Sequence, residues 1–384
     1  MHKIGNILIH PAFLALVISL LIIWVLPTVF NKYEAELIEK QYSDNDFPNK
    51  YFYHDFDHDG NSEMVRQGLN SGTLNPYFCI DSNDGITMGQ WNFGGTWIKS
   101  ALLFFGDYDN NGFDEVYGFT WENDSVFING IEPIGRNTDH LITEFLFKCP
   151  LNNKQIPCGI LTGKLTDLDG DSFKEVVFSV NAGFNLQPRA IFAYDVKRDS
   201  VYRSPFMGAS NQKIHFVNLD SDPYDEILID VSAHRNYGTP VPYSDSIAWL
   251  IALDNDLSFL FEPVSLNPRF VISINHAIKK DKEILILNIN KKAGKTSKDI
   301  KASLFSPQGK LISQSNQPEF VEGIIFNKTR NNLTEKLYIT FKGDIFEFDS
   351  EFKFKKVRNL KIKLKKHHIK LIWEIIPYRS LFLV

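Results

Sequence analysis

The sequence has few cysteines and lacks the short motifs that mark the common enzyme families. Three cysteines among 384 residues, Cys79, Cys149 and Cys158, exclude a disulfide-rich scaffold and a zinc ribbon built from several cysteines. Cys149 and Cys158 are near enough in sequence to pair across a short loop in an oxidising compartment. There is no G-x-S-x-G elbow, H-E-x-x-H helix, P-loop or G-x-G-x-x-G turn. We therefore assign no catalytic residue and expect a protein that is not an enzyme.

An excess of positive charge is also missing. The chain has 41 lysines and arginines against 46 aspartates and glutamates, a net charge of −5. Nine of the basic residues lie between Lys353 and Lys370, where there is no acidic residue, so the remainder carries −14. This balance excludes nucleic acid as a partner of the chain on grounds of charge.

Aromatic residues are plentiful. The chain has 32 Phe, 14 Tyr and 6 Trp, and isoleucine and valine are also frequent. Aromatic and β-branched side chains are enriched in strands, so this composition favours an all-β fold.

Residues 12–30 form the one long apolar run near the N-terminus. These 19 residues carry no charge, which is close to the length of about 20 that crosses a bilayer core. We expect an uncleaved transmembrane signal-anchor here, with residues 1–11 in the cytoplasm, a linker at 31–50 and the bulk of the chain outside, in the periplasm or extracellular space. A cleaved signal peptide and a buried core helix are the alternative interpretations.

An acidic pattern, [DN]-x-D-x-[DN]-x-x-x-E, occurs four times. The first positions of the four copies are 52, 60 and 51 residues apart, and an apolar run follows each final glutamate. Each copy is therefore predicted to be a short loop that joins two strands. The residues at positions 1, 3, 5 and 9 are Asp55, Asp57, Asp59 and Glu63; Asp107, Asp109, Asn111 and Glu115; Asp167, Asp169, Asp171 and Glu175; and Asn218, Asp220, Asp222 and Glu226.

Oxygen ligands at this spacing are typical of calcium sites. Side chains at alternate positions curl toward one centre, and Ca²⁺ takes six to eight oxygens in a flexible shell. Zinc would need His or Cys, which these positions lack. We predict three to four bound Ca²⁺ ions; plain polar turns that bind no metal are the alternative. The fourth loop is predicted to be the weakest site, because Asn218 replaces Asp and Pro223 occupies the position where glycine is usual.

The four stretches HDFDHDGNSEMV, FGDYDNNGFDEV, LTDLDGDSFKEV and VNLDSDPYDEIL resemble the FG-GAP/VCBS repeat family. The Phe-Gly and Gly-Ala-Pro elements that give the family its name are not evident. The resemblance covers about residues 50–265. It implies an integrin-like β-propeller of four-stranded blades, in which calcium braces the loops and ligands bind at the face or rim.

Six predicted hairpins support this organisation. Short turns between alternating apolar residues occur within 77–91, 119–130, 191–204, 249–262, 302–315 and 337–354. We therefore predict a propeller of six to seven blades over residues 51–360, preceded by the transmembrane helix. Residues 132–158 and 233–246 are predicted rim loops, and Tyr237 and Tyr243 are possible contacts for sugars.

Residues 361–384 form a basic and apolar tail. Its apolar end, residues 371–384, is only fourteen residues long, which is too short to cross a bilayer. Two interpretations stay open: the start of a second membrane segment, or a basic tail that lies on an anionic membrane surface.

The expected function is a membrane-tethered, calcium-binding sensor or adhesion module that binds a protein or carbohydrate ligand. One alternative is a propeller-type carbohydrate-active enzyme, such as a calcium-dependent polysaccharide lyase or hydrolase. It requires a base and a positioned Arg or Lys beside the metal, and the sequence shows no such cluster. A second alternative is an assembly factor for the cell envelope.

Overall fold

The computed structural model describes residues 15, 18–20, 50–98, 100–135, 141–152, 157–183, 187–220, 222–233, 241–267, 277–278, 284–291, 298–320, 323–330, 333–340, 344–348 and 354–359. The chain divides into two compact units, Met1–Pro48 and Asn49–Val384. In the first unit, Ala15 and residues 18–20 are helical. Residues 31–49 of the predicted linker, the tail and most of the predicted signal-anchor lie outside the described residues, whereas Lys50, the last residue of that linker, already belongs to a strand. No helix among those described is long and apolar enough to cross a membrane.

The described residues of the second unit are all-β and form six antiparallel sheets in chain order. Sheet 1 contains β1 (Lys50–His54), β2 (Glu63–Leu69), β3 (Pro76–Asp81) and β4 (Thr87–Asn92). Sheet 2 contains β5 (Thr96–Trp97), β6 (Phe104–Gly106), β7 (Glu115–Glu122), β8 (Ser125–Ile131) and β9 (Leu141–Lys148).

Sheets 3 and 4 repeat the four-stranded arrangement. Sheet 3 contains β10 (Cys158–Thr166), β11 (Glu175–Ala182), β12 (Arg189–Asp195) and β13 (Ser200–Arg203). Sheet 4 contains β14 (Ser210–Val217), β15 (Glu226–Ser232), β16 (Ala248–Leu253) and β17 (Val264–Asn267).

Sheets 5 and 6 have the same strand order. Sheet 5 contains β18 (Ala277–Ile278), β19 (Ile284–Lys291), β20 (Lys298–Phe305) and β21 (Leu311–Phe320). Sheet 6 contains β22 (Gly323–Arg330), β23 (Leu333–Thr340), β24 (Asp344–Phe348) and β25 (Phe354–Asn359).

Neighbouring sheets pack through apolar side chains. Phe78 of sheet 1 lies 4.9 Å from Trp97 of sheet 2 between ring centroids, and Phe119 of sheet 2 lies 4.9 Å from Phe178 of sheet 3. One buried cluster extends from sheet 3 through sheet 4 to Ile284 in sheet 5. All residues of β12 and β15 are buried, which is why these central strands are apolar over most of their length.

The strands confirm five of the six predicted hairpins. In the sixth, within 249–262, the predicted second strand is largely a turn, and β16 pairs with β17, which begins only at Val264. The strands also confirm that each acidic motif joins two antiparallel strands: β1 and β2, β6 and β7, β10 and β11, and β14 and β15. Another expectation was wrong. The predicted rim loop at 132–158 contains β9, whose residues pair along β8 and complete sheet 2.

Candidate metal loops

Four acidic loops connect the paired strands at one end of sheets 1 to 4. Loop 1 is 55–63, loop 2 is 107–115, loop 3 is 167–175 and loop 4 is 218–226. Each final glutamate is the first residue of the strand that follows its loop. We call these four residues, Glu63, Glu115, Glu175 and Glu226, the closing glutamates.

The closing glutamates are buried and fasten the start of their own loops. In each case one carboxylate oxygen, Oε2, accepts a hydrogen bond from the backbone N–H seven residues earlier. The distance is 3.0 Å from Phe56 N to Glu63, 2.9 Å from Tyr108 N to Glu115 and 2.7 Å from Leu168 N to Glu175; Leu219 N makes the same bond to Glu226. These glutamates therefore have a structural role that the sequence pattern did not reveal.

The second oxygen of two closing glutamates has no partner. Oε1 of Glu115 and Oε1 of Glu226 are buried and have no hydrogen-bond partner among the described residues. A buried carboxylate oxygen without a partner is costly, so its position favours a bound cation or a proton on the carboxylate. Burial raises the pKa of Glu115 to about 8 and that of Glu175 to about 7, and it also raises the pKa of Glu226.

In three of the four loops, three carboxylates converge. Their ligand oxygens lie within 4.8 Å of one another in loop 1 (Asp55, Asp57 and Glu63), loop 3 (Asp167, Asp169 and Glu175) and loop 4 (Asp220, Asp222 and Glu226). Among the described residues, loop 2 forms no such group from Asp107, Asp109 and Glu115. Asp59 and Asp171 also lie outside the converging groups.

Loops 1 to 3 share one backbone conformation. The residue at position 6 has a positive φ of 91° at Gly60, 91° at Gly112 and 71° at Ser172. Its N–H donates to the carboxylate at position 1, at 2.9, 2.8 and 3.1 Å respectively. Ser172 thus adopts the conformation that favours glycine, at some backbone cost.

Loop 4 is closed differently, because Pro223 at position 6 has no N–H to donate. The side-chain amide of Asn218 donates instead to the carbonyl oxygens of Asp222 at 2.6 Å and Tyr224 at 2.9 Å. Tyr224 stands at position 7, whose carbonyl is a calcium ligand in loops of this spacing. The asparagine therefore uses an oxygen that a metal ion would need.

Loop 3 is bound by positive side chains of the chain itself. Arg198, in the turn between β12 and β13, donates to Asp169 and, at 2.9 Å, to Asp171. Lys197 lies 3.2 Å from Asp171 and 3.8 Å from the centre of the Phe173 ring. The hydrogen bond from Phe173 N, with help from these two cations, lowers the pKa of Asp171. The sequence pattern gave no indication that Lys197 and Arg198 belong to this site.

Backbone hydrogen bonds connect consecutive loops. Asp114 N donates to Phe56 O at 2.8 Å, and Lys174 N donates to Tyr108 O at 2.8 Å. The Asp114 side chain also pairs with the rings of His54 at 2.6 Å and His58 at 3.3 Å. Hydrogen bonds thus join loop 1 to loop 2 and loop 2 to loop 3 across three sheets.

The chemistry of the donors fits a hard cation. Every side chain that converges offers oxygen, and the unpartnered Oε1 atoms of Glu115 and Glu226 supply the vacant ligand that such an ion would take. By these observations loop 1 fits calcium best, because its carboxylates converge and no ion pair of the described residues engages Asp55, Asp57 or Glu63. Loop 2 has the unpartnered oxygen without the convergence.

Tyr243 is packed against its own sheet. Its hydroxyl donates to Glu262 at 2.8 Å, and its ring contacts Trp249 and Phe259 edge-on at 5.3 and 5.2 Å between centroids. These contacts agree with a packing role. Tyr237, the other aromatic residue expected in this segment, lies outside the described residues.

Comparisons with known proteins identify no family. No protein-family model and no curated protein matches the sequence. Two solved structures illustrate the structural matches. A crystal structure of BBS1N in complex with ARL6DN, soaked with lead, has a TM-score of 0.39 and 10% identity over 79% of each chain. A protein of unknown function from Bacteroides caccae has a TM-score of 0.30 and 11% identity, over 79% of this chain and 96% of that one. Likeness at these scores carries no argument about fold or function.

Proposed function

We propose that this protein is a calcium-braced β-propeller, tethered to a membrane and exposed outside the cytoplasm, that binds a protein or carbohydrate ligand. Six successive sheets with up-and-down strand order supply the blades of such an architecture. The observation that carries the calcium part is the convergence of three carboxylates in loop 1, repeated in loops 3 and 4.

The role of the metal in this proposal is to brace the ends of the sheets. Each loop gathers several carboxylates, which repel one another when no cation is present. A bound Ca²⁺ would neutralise them and fix the strand ends of sheets 1 to 4, so that the turns at this end form a firm surface for a ligand. The proposed tether is the uncharged run at 12–30.

The metal part is tested by calcium titration of the full chain, purified in detergent and freed of metal. We expect two to four sites by calorimetry, with magnesium binding poorly because it demands tight octahedral geometry. Glu63→Gln should remove one site, whereas Glu262→Gln, at a carboxylate outside the loops, should remove none. No heat of binding in the unsubstituted chain would refute the metal part.

The tether and the ligand need separate tests. Protease added outside intact cells should digest the sheets and leave a small anchor fragment, and full protection would refute the proposed side of the membrane. Binding to an array of glycans and to envelope proteins should be compared with calcium and with chelator. Signals that are equal in the two conditions would refute a calcium-braced ligand surface.

The enzymatic alternative gains no support from the cations near loop 3. A lyase of this kind would need a positive side chain free to meet its substrate. Arg198 and Lys197 are engaged by Asp169 and Asp171, and the Nζ of Lys174, within loop 3 itself, donates to the carbonyl oxygen of Asp107.

A further inference from the structure

Two cysteines meet where sheet 2 joins sheet 3. Cys149 directly follows β9, and Cys158 is the first residue of β10. Both are buried, at 0% and 3% exposure, and both belong to the apolar cluster that sheets 2 and 3 share. As the first residue of β10, Cys158 lies at the end of that strand opposite loop 3.

The two side chains are neighbours in this buried cluster, and the thiol of Cys158 interacts with that of Cys149 closely enough to lower the pKa of Cys149. The backbone holds both residues in place: Cys149 N donates to Asp124 O at 2.7 Å, and Cys158 O accepts from the Ser100 hydroxyl at 2.8 Å. Two buried neighbouring thiols on an anchored backbone are the arrangement from which a disulfide forms with little movement of the chain.

We propose that Cys149 and Cys158 form a disulfide that staples sheet 2 to sheet 3. Nothing in the calcium proposal requires this bond. Cys79 takes no part, since it lies in β3 of sheet 1, where it accepts a hydrogen bond from Arg66 at 2.8 Å. The bond would close a ring of ten residues across the connection.

The reaction needs an oxidant, for which a small disulfide such as oxidised glutathione suffices. The Cys149 thiolate attacks one sulfur of that disulfide, and a glutathione thiolate leaves. The Cys158 thiolate then attacks the Cys149 sulfur of the mixed disulfide and releases the second glutathione thiolate. Two protein thiols lose two protons and two electrons, and the oxidant gains both as two thiols. The hydrogen bond from Cys158 lowers the pKa of Cys149, which favours Cys149 as the first attacker.

The experiment uses the full chain purified in detergent and equilibrated in an oxidising glutathione buffer. The protein is then unfolded without reductant, treated with N-ethylmaleimide and weighed by mass spectrometry. We expect one maleimide adduct, on Cys79, and a peptide that links Cys149 to Cys158. Three adducts, glutathione left on either residue, or a link that involves Cys79 would overturn the proposal.

Matched variants separate the bond from other effects. Cys149→Ser and Cys158→Ser should each give two maleimide adducts, while Cys79→Ser should give none. A disulfide that closes a ring this short contributes about 3 kcal/mol, which raises the melting temperature of a unit of this size by roughly 4 °C. Oxidation should therefore raise the melting temperature of the unsubstituted chain and of Cys79→Ser, but not that of Cys149→Ser. An equal rise of the melting temperature in Cys149→Ser would contradict the staple. The maleimide count of the unsubstituted chain tests the disulfide even if a serine variant folds poorly.

Discussion

Loops 1 and 3 have nearly the same acidic residues but different neighbours. In loop 1 the converging Asp55, Asp57 and Glu63 meet no Lys or Arg among the described residues. In loop 3 Arg198 and Lys197 bring two positive charges to Asp169 and Asp171, which equals the charge of one Ca²⁺. The comparison teaches that an acidic loop can obtain its cation from solution or from a neighbouring hairpin, and that the loop sequence alone does not distinguish the two.

Removal of calcium should have the largest effect on the protein. At about 1 mM calcium and a dissociation constant of about 0.1 mM, one site that binds only the folded state contributes roughly 1.4 kcal/mol. Three such sites would contribute about 4 kcal/mol, so chelation should lower the melting temperature of a unit of this size by roughly 6 °C. Differential scanning calorimetry with calcium and with chelator measures this change.

Hydrogen exchange, measured under the same two conditions, compares the loops and sheets with one another. Loop 1 should lose protection in chelator more than loop 3, because Arg198 and Lys197 remain in place without metal. Sheets 5 and 6, which lack the acidic pattern, should change least. Identical melting and exchange in the two conditions would mean that all four loops are plain turns.

The stability of the metal-free protein should depend on pH, as the second largest effect. Burial raises the pKa of Glu115 to about 8 and that of Glu175 to about 7, above the value of about 4.3 expected in the unfolded chain. Between these values the folded state binds more protons than the unfolded state, so stability is greatest at low pH and falls as the pH rises from about 5 to 8. Saturating calcium should flatten this fall, since the ion takes the place of the proton.

Melting temperatures at pH 5, 6, 7 and 8 measure this dependence on metal-free protein. Glu115→Gln keeps a neutral group in the same place and should flatten the profile. Glu262→Gln, at an exposed residue outside the loops, should leave the profile unchanged. A melting temperature of the metal-free protein that rises steadily from pH 5 to 8 would contradict the buried, protonated state of the closing glutamates.

Substitution of Lys197 and Arg198, the two cationic residues that face loop 3, tests the comparison of loops 1 and 3 directly. Replacing Lys197 and Arg198 by alanine removes the two charges that face Asp169 and Asp171. Loop 3 should then bind calcium more tightly, by about tenfold, because the ion no longer competes with the guanidinium. Calcium titration measures this gain; Arg203→Ala, which removes an arginine that stacks on Phe206 in the same sheet, is the control. Unchanged or weaker binding would show that Arg198 and Lys197 do not compete with metal.

The sequence predicted the strand-loop-strand units well because their signals are local. The apolar runs, the hairpin turns and the acidic spacing all lie within about fifteen residues, and the structure contains each pair of strands. The contact between Arg198 and Asp169 was not predictable in this way, since it spans 29 residues and depends on how the β12–β13 hairpin packs beside loop 3. Strand β9 was missed because polar residues surround it, and its place is set by pairing with β8.

The smallest effect is expected in loop 4. Glu226→Gln should reduce calcium binding less than Glu63→Gln does, because Asn218 already donates to the carbonyl oxygens of Asp222 and Tyr224. Asn218→Asp removes both donors and adds a carboxylate, so it should raise calcium affinity at loop 4 while lowering the metal-free stability slightly. Titration of both variants beside the unsubstituted chain measures the difference. A larger loss of calcium binding in Glu226→Gln than in Glu63→Gln would show that Asn218 does not take the place of the metal. The unpartnered oxygen of Glu226 would then mark loop 4 as a principal site.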